Sequence, residues 1–410
     1  MIIKKIIAKE VKNSRGEKTI QVLIKTPKAN FFASSPSGKS IGKYEVNPYN
    51  KSLIHDINFI NNLNVNKINN LFKTKLKNKP NNFSLKVEDI FTLLKNLESL
   101  IKNKLGGNSL FALESSLLKA LAKENNKQLF EFLYGKKIKN IKIRLIGNAI
   151  GGGLHSKGIN NQKPDYQEFL FIPKEKTIKE NAEVNDTVYK LSRKVLKARK
   201  RNDENALETN FNNEQILEIM NGIKNKYKKN IDIGIDLASS SFYKNGKYYY
   251  KNPTTKFNSK EQINYVNKLI KKYNLFYIED PLNENDFSGF SKLLKQVRKT
   301  DNCLIVGDDL TATNPKRLKK AIKNKSINAV IVKPNQIGSL LKVKEVIEVA
   351  KKHNIKTIIS HRSGETFDNT IADLAVAFEA DFIKTGIYGK ERKSKLNRLI
   401  EIEKMLKKKI

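Results

Sequence analysis

Six short apolar runs in the second half of the chain each end in a side chain able to do chemistry: Asp236, Glu279, Asp308, Lys333, His361 and Lys384. Three of these are acidic and follow one another, in Ile235-Asp236-Leu237, Ile278-Glu279-Asp280-Pro281 and Gly307-Asp308-Asp309-Leu310. Converging carboxylates with no cysteine or histidine cluster nearby favour a hard divalent cation, magnesium first. Any one such acid could as well cap the helix that follows it. Three in succession, followed by two lysines at further run ends, argue for a site. Those lysines are Lys333, in Val332-Lys333-Pro334-Asn335, and Lys384, in Ile383-Lys384-Thr385-Gly386. A buried lysine near a dication has its charged form disfavoured by desolvation and by like charge, so its pKa can fall far enough for proton abstraction. One lysine is then a base and the other the partner of an anionic substrate group; the residues alone do not say which is which.

The elements that must position these groups alternate along the chain. From about residue 135 onward, short apolar runs are separated by amphipathic helical stretches, a pattern that predicts a parallel sheet. The number of units favours closure into a β/α barrel, whose active sites lie at the C-terminal ends of the strands. Upstream, Ile6 to Val11, Thr19 to Ile24 and Asn30 to Ala33 read as a small antiparallel meander with turns at Ser14-Arg15-Gly16 and Pro27. A loop rich in serine and glycine follows, from Ser34 to Gly42, and its composition predicts mobility. Helices are expected at about Val87–Lys102, Ser109–Lys123 and Gln128–Tyr134, whereas Asn50–Asn82 is rich in Asn and Lys and carries no clear pattern. The fold class is therefore α/β, with residues 1–134 as an α+β capping domain that carries the mobile loop and residues 135–410 as a TIM-like barrel.

The 410 residues carry a formal charge of +38, which on its own raises nucleic acid as a partner. The lysines are scattered, however, and no basic block is interleaved with stacking aromatics. A solvated lysine-rich surface is the expectation, with nucleic-acid binding only as a charge-driven side activity. The single cysteine, Cys303, excludes an internal disulfide framework and reads as a small buried hydrophobe. The N-terminal residues alternate apolar pairs with charge, so no signal peptide or membrane anchor is expected and the location should be cytoplasmic.

At the same run ends the sequence resembles the enolase family. The resemblance runs through Phe276-Tyr277-Ile278-Glu279-Asp280-Pro281, Val306-Gly307-Asp308-Asp309-Leu310-Thr311, Lys333-Pro334-Asn335-Gln336, Ser360-His361-Arg362-Ser363-Gly364-Glu365 and Ile383-Lys384-Thr385-Gly386, in order. It extends to Asn13-Ser14-Arg15-Gly16 and the loop Pro36-Ser37-Gly38-Lys39-Ser40-Ile41-Gly42, and so covers nearly the whole length. Gly151-Gly152-Gly153-Leu154-His155 and Pro164-Asp165-Tyr166-Gln167-Glu168-Phe169 are most similar to archaeal members.

The resemblance implies a reversible, magnesium-dependent dehydration of 2-phosphoglycerate to phosphoenolpyruvate, in glycolysis and gluconeogenesis. It implies that Asp236, Glu279 and Asp308 bind a first magnesium and that Lys333 removes the C2 proton. Lys384 and the metal would meet the charge that this proton's loss puts on the substrate carboxylate. Glu204 would protonate the departing C3 hydroxyl with Glu168 assisting, and His155 would contact the substrate. Arg362 and Ser363 would hold the phosphate, His361 would line the site, and Ser40 would ligate a second magnesium that arrives with substrate. A homodimer or larger homo-oligomer is implied as well.

The sequence departs from the family's pattern at several places. Asn205 follows Glu204 where glycine is usual, Lys39 stands where a small residue is common, Ile41 replaces threonine and Ser241 replaces a frequent glutamate. None of these removes a proposed metal ligand or the base. His55 and His353 are expected outside the site, Asp280 and Asp309 are expected to serve structure, and Gly151-Gly152-Gly153 opens no helix and so is no phosphate cradle. The alternative reading is a catalytically weak enolase homologue that binds polyanions or surfaces; a superfamily relative acting on another acid is disfavoured by His361-Arg362-Ser363 together with the Ser40 loop.

Overall fold

A computed structural model of the chain describes residues 2–39, 42–76, 85–138, 140–160, 162–227, 230–298 and 302–408. The meander forms as the alternation predicts: β1 (Lys5–Lys12), β2 (Lys18–Lys25) and β3 (Asn30–Ser34) pair antiparallel in that order. Ile20, Val22 and Ile24 of β2 are fully buried, the period of two that puts one face of a strand on a core. Helix Gly107–Glu124 packs against β2 and β3.

The asparagine-rich stretch that carried no pattern folds into two helices, Leu53–Asn61 and Val65–Leu76; residues 77–84 lie outside the described residues. Its asparagines have a specific task. The Asn61 side chain accepts from the Ala8 amide at 2.7 Å and donates to the Ala8 carbonyl at 3.1 Å, and Asn69 does the same for Ile3 at 2.8 and 2.9 Å. Each amide thus satisfies the backbone at or beside the outer margin of β1, where the sheet offers no further strand. Because polar residues occupy inward helical positions, the apolar periodicity is diluted and the sequence does not announce the helices.

Eight strands close a barrel: β4 (Arg144–Gly151), β5 (Glu168–Pro173), β6 (Ile231–Asp236) and, after a small antiparallel sheet of β7 (Tyr243–Lys244), β8 (Lys247–Lys251) and β9 (Thr254–Asn258), the strands β10 (Tyr277–Glu279), β11 (Leu304–Gly307), β12 (Ala329–Val332), β13 (Lys356–Ser360) and β14 (Phe382–Lys384). Around the ring they run β10-β11-β12-β13-β14-β4-β5-β6. One feature departs from the expected all-parallel sheet: β5 runs antiparallel to both β4 and β6. The connection from β4 to β5 holds only the short turn of helix Gly153–His155, so the chain returns as a wide hairpin, without the helix a parallel crossover needs. Glu168, at the start of β5, thereby pairs with Asp236 at the end of β6 and sits on the same rim as the other strand ends.

Period-two alternation explains why those strand ends face the barrel mouth. Ile146, Leu170, Ile172, Tyr277, Val306, Ile331, Ile358 and Phe382 form a separate interior cluster, whereas Ile235, Ile278, Val332, Ile359 and Ile383 belong to the shell between strands and helices. Counting by twos from the interior set leads to Asn148, Glu168, Glu279, Asp308, Lys333, Ser360 and Lys384.

The two domains meet at a buried acid. Glu114, fully buried in helix Gly107–Glu124, accepts from the Leu340 amide at 2.7 Å, at the start of barrel helix Leu340–Lys352. Burial, reinforced by Glu98, pushes its carboxyl well above the usual range. A folded pKa above the unfolded one means a stability contribution that is complete below the unfolded value of about 4.3 and is lost as pH rises through the folded value. Glu114→Gln keeps the acceptor and removes this loss. Melting curves should therefore show the variant level with the parent near pH 4.5 and progressively more stable toward pH 8; a gap that shrinks with pH would refute the assignment.

Candidate active site

The described strand ends converge. Glu168, Asp236 and Glu279 come from the adjacent strands β5, β6 and β10, and Asp308 follows β11 directly. Lys384 stands on β14, halfway around the ring from β10, and reaches across the mouth. Its ammonium lies 2.9 Å from Glu168 Oε2, 2.8 Å from Glu279 Oε2 and 3.3 Å from Asp236 Oδ2. Burial opposes its charge, but Glu168, Glu279 and Asp236 together hold it well above the usual lysine range. Lys333 caps helix Pro334–Ile337 just after β12 and contacts Asp308 Oδ2. Lys333 differs from the expectation of a lowered pKa: burial disfavours its charge, yet the carboxylates of Asp308 and Glu279 together overcome burial and keep the ammonium form.

On the acid side, Glu204 is buried in a loop after helix Ile178–Val195 and accepts from Asn148 Nδ2 at 3.1 Å. His155 Nε2 lies 3.8 Å from Glu204 Oε1, and its Nδ1 lies 2.8 Å from Asp203 Oδ1. Burial works against Glu204's ionisation, but the groups around it, His155 foremost and then Arg392 and Lys384, hold it well below the usual range. Glu168 goes the other way, raised well above by burial despite Lys384. The two glutamates thus differ in protonation preference. Asn205 has φ of 65°, the left-handed region. That conformation is why the family favours glycine here, and asparagine is among the side chains that tolerate it best, so the departure leaves Glu204's loop intact.

On the opposite wall, His361, Arg362 and Ser363 follow β13 and are all buried. They are held by Arg392, a fully buried arginine of helix Lys390–Lys407 that contacts His361 Nδ1 at 2.9 Å and donates to the carbonyls of Arg362 at 2.7 Å and Ser363 at 2.6 Å. Burial and Arg392's charge keep His361 neutral, well below the usual histidine range. Arg362 makes a two-pronged pair with Glu45, at 2.9 and 3.2 Å, and Arg15 contacts Ser363 Oγ and the Gly38 carbonyl, so the N-terminal domain completes this wall. Ser40 lies outside the described residues. Arg392, Glu45, Asn148 and Asp203 are missing from the sequence reading; only Asn148 carried a usable signal, its inward register two places after Ile146.

The donor set fits a hard cation. Glu279 Oε1 is buried with no hydrogen-bond partner, while burial and Asp236's charge push this carboxyl up to about 8. Asp236 is raised by burial as well, and both shifts mark uncompensated negative charge beside oxygen-only ligands. Among the described residues it is Asp280, Asp308 and Asp309 whose ligand oxygens all lie within 4.8 Å of one another; the expected set of Asp236, Glu279 and Asp308 is not drawn that close here. Asp280 spends its two oxygens on the backbone amides of Asp308, at 3.1 Å, and Asp309, at 2.6 Å, bracketing the turn after β11 as the expected structural group. His353 caps helix Leu340–Lys352 on the surface, and Cys303 is buried. No helix among the described residues is long and apolar enough to cross a membrane.

A barrel with one reversed strand, a rim of carboxylates around a reaching lysine and a second lysine on a neighbouring wall defines a lyase of the kind that removes a proton beside a carboxylate. The chain matches the family model for the enolase C-terminal TIM barrel domain over residues 144–410 and that for the enolase N-terminal domain over residues 3–133. It is 36% identical to an enolase of Thermoplasma acidophilum over 98% of both chains, and 36% identical to one of Picrophilus torridus over 98% of this chain and 99% of that one. An enolase of Archaeoglobus fulgidus is 34% identical over 100% of this chain and 98% of its own. The chain belongs to the enolase family, and with it to the hydro-lyases.

Proposed function

We propose that this protein is a phosphopyruvate hydratase that reversibly removes water from 2-phosphoglycerate, with Lys333 as base and Glu204 as general acid. The observation that carries the reading is the placement of the two ends of the reaction: β12, which leads into Lys333, and β5, which begins with Glu168, stand diametrically across the ring. A substrate lying between them offers its C2 hydrogen to one wall and its C3 hydroxyl to the other. Lys333 takes the C2 proton, the electron pair left behind is spread onto the carboxylate, and it then forms the C2–C3 double bond as the C3–O bond breaks. Glu168, whose raised carboxyl keeps its proton, supplies it through Glu204 to the hydroxyl that leaves as water.

Lys384's fixed charge faces the carboxylate as it becomes more negative. Arg362 and Ser363 bind the phosphate, His361 lines that wall, and His155 contacts the substrate beside Glu204. Asp236, Glu279 and Asp308 would hold one magnesium ion and Ser40 would contribute to a second that comes with substrate; bound magnesium supplies positive charge to the substrate carboxylate. With Asp308's charge committed to a cation, burial together with Arg362 and Lys384 favours Lys333 as the neutral amine that a base must be. The functional division at residues 134 and 135, a cytoplasmic location and a homodimeric or larger assembly complete the reading, supported by the family match.

The test is formation of the enol phosphate from 2-phosphoglycerate, followed by its absorbance. Chelation is expected to remove activity to background and added magnesium to restore it in full. Turnover that survives exhaustive chelation would rule out the role given to the three carboxylates.

A further inference from the structure

The loop that leads into Ser40 carries a lysine whose reach is specific. Lys39 Nζ lies 2.9 Å from Asp203 Oδ2 and donates to the Leu154 carbonyl at 2.7 Å. Both partners flank His155: Leu154 precedes it in the chain, and Asp203 holds its Nδ1 through the other carboxylate oxygen. Asp203 has 14% of its side chain exposed, and its Oδ2 is buried with no regular hydrogen bond, so the ammonium is the charge that compensates it. Burial opposes ionisation of Asp203, and its contacts with His155 and Lys39 nevertheless hold it below the usual range. The next residue in the chain is Glu204, whose Oε1 lies 3.8 Å from His155 Nε2.

We propose that Lys39 is a positioning residue for the acid half of the reaction: by bridging Asp203 and the Leu154 carbonyl, it couples the N-terminal loop beside Ser40 to the orientation of His155 and Glu204. The inference rests on the function proposed above. An ordinary surface ion pair contributes little to stability. This one has a buried acceptor and a second, backbone acceptor on the same ammonium, so its effect is on geometry, where displacements of about 1 Å can cost as much as 10²-fold in rate. A small residue at position 39, common in the family, lacks this link.

The experiment compares the full-length parent with Lys39→Met, Lys39→Arg, Asp203→Asn and the Lys39→Met/Asp203→Asn double variant. Lys39→Met is expected to lower kcat about tenfold with KM for 2-phosphoglycerate within about twofold, because the contact serves His155 and Glu204 and not the phosphate wall. Lys39→Arg should recover most of the loss, and the double variant should be no slower than Asp203→Asn alone. Independently of turnover, hydrogen exchange at the His155 and Ser156 amides, both bonded to the Gly152 carbonyl, should quicken about tenfold in Lys39→Met and stay unchanged in a Lys43→Met control. Losses that multiply in the double variant, a change in KM alone, or unaltered exchange at 155 and 156 would overturn the proposal. A parent without turnover would instead remove the functional reading, and the exchange measurement would still decide whether Lys39 holds His155.

Discussion

Lys333→Ala is expected to abolish dehydration of 2-phosphoglycerate, with kcat reduced by about 10⁴-fold, the upper range for loss of a positioned general base. The same variant should also lose exchange of the substrate's C2 hydrogen with deuterium oxide, since no other described amine stands on that wall within reach of the position Lys333 occupies. Lys384 cannot substitute, because it is engaged by Glu168, Glu279 and Asp236 on the far side. Truncation also leaves Asp308 without its ammonium partner in a buried setting. Circular dichroism and a melting curve are therefore needed alongside the kinetics, and Lys333→Gln serves as the variant with less disturbance of packing. Retention of C2 exchange in either variant would assign the base elsewhere.

Glu204→Gln should separate the two halves of the reaction. Water loss falls by about 10²- to 10⁴-fold, the span expected for removing a general acid, while C2 exchange continues because Lys333 is untouched. The glutamine can still accept from Asn148, so the fold around it should hold. Nuclear magnetic resonance of substrate in deuterium oxide reads both quantities in one sample. Joint loss of exchange and dehydration would show that Glu204 supports the base side and does not act as the acid. The raised carboxyl of Glu168 makes it the natural proton store for the pair, so Glu168→Gln offers the comparison that tells donor from reservoir.

Much of this arrangement could be read from the residues because it depends on a short rule. Strand ends are marked by the change from apolar to charged, and the alternation of inward and outward positions fixes which way Asp236, Glu279, Asp308, Lys333 and Lys384 point. The meander and the helix at Val87–Ile101 were legible because each has one apolar face, and the helix at Gly107–Glu124, which is buried on nearly every side, because it is rich in Leu and Ala. The reversed direction of β5 was not, because a strand's polarity relative to its neighbours leaves no trace in its own alternation; only the lack of a helix between Gly151 and Glu168 hinted at it. Arg392 was hidden differently. It lies on a helix crowded with other cations, of which Lys390 and Lys393 are exposed and Lys395 is buried, and nothing local tells a fully buried arginine from the exposed lysines. The direction of Lys333's shift also depended on a partner, Asp308, that only the closed ring brings to it.

The asparagine brackets on β1 have a consequence for the behaviour of the chain in a crowded solution. An open sheet margin is a template on which a neighbouring molecule can add a strand, and proteins commonly guard it with charge, proline or a bulge on the strand itself. Here the guard is carried by two helices, whose Asn61 and Asn69 amides occupy the positions a recruited backbone would claim. Protection against edge-to-edge aggregation is therefore only as durable as the docking of Leu53–Asn61 and Val65–Leu76, and local loosening of those helices would expose it before the barrel is disturbed.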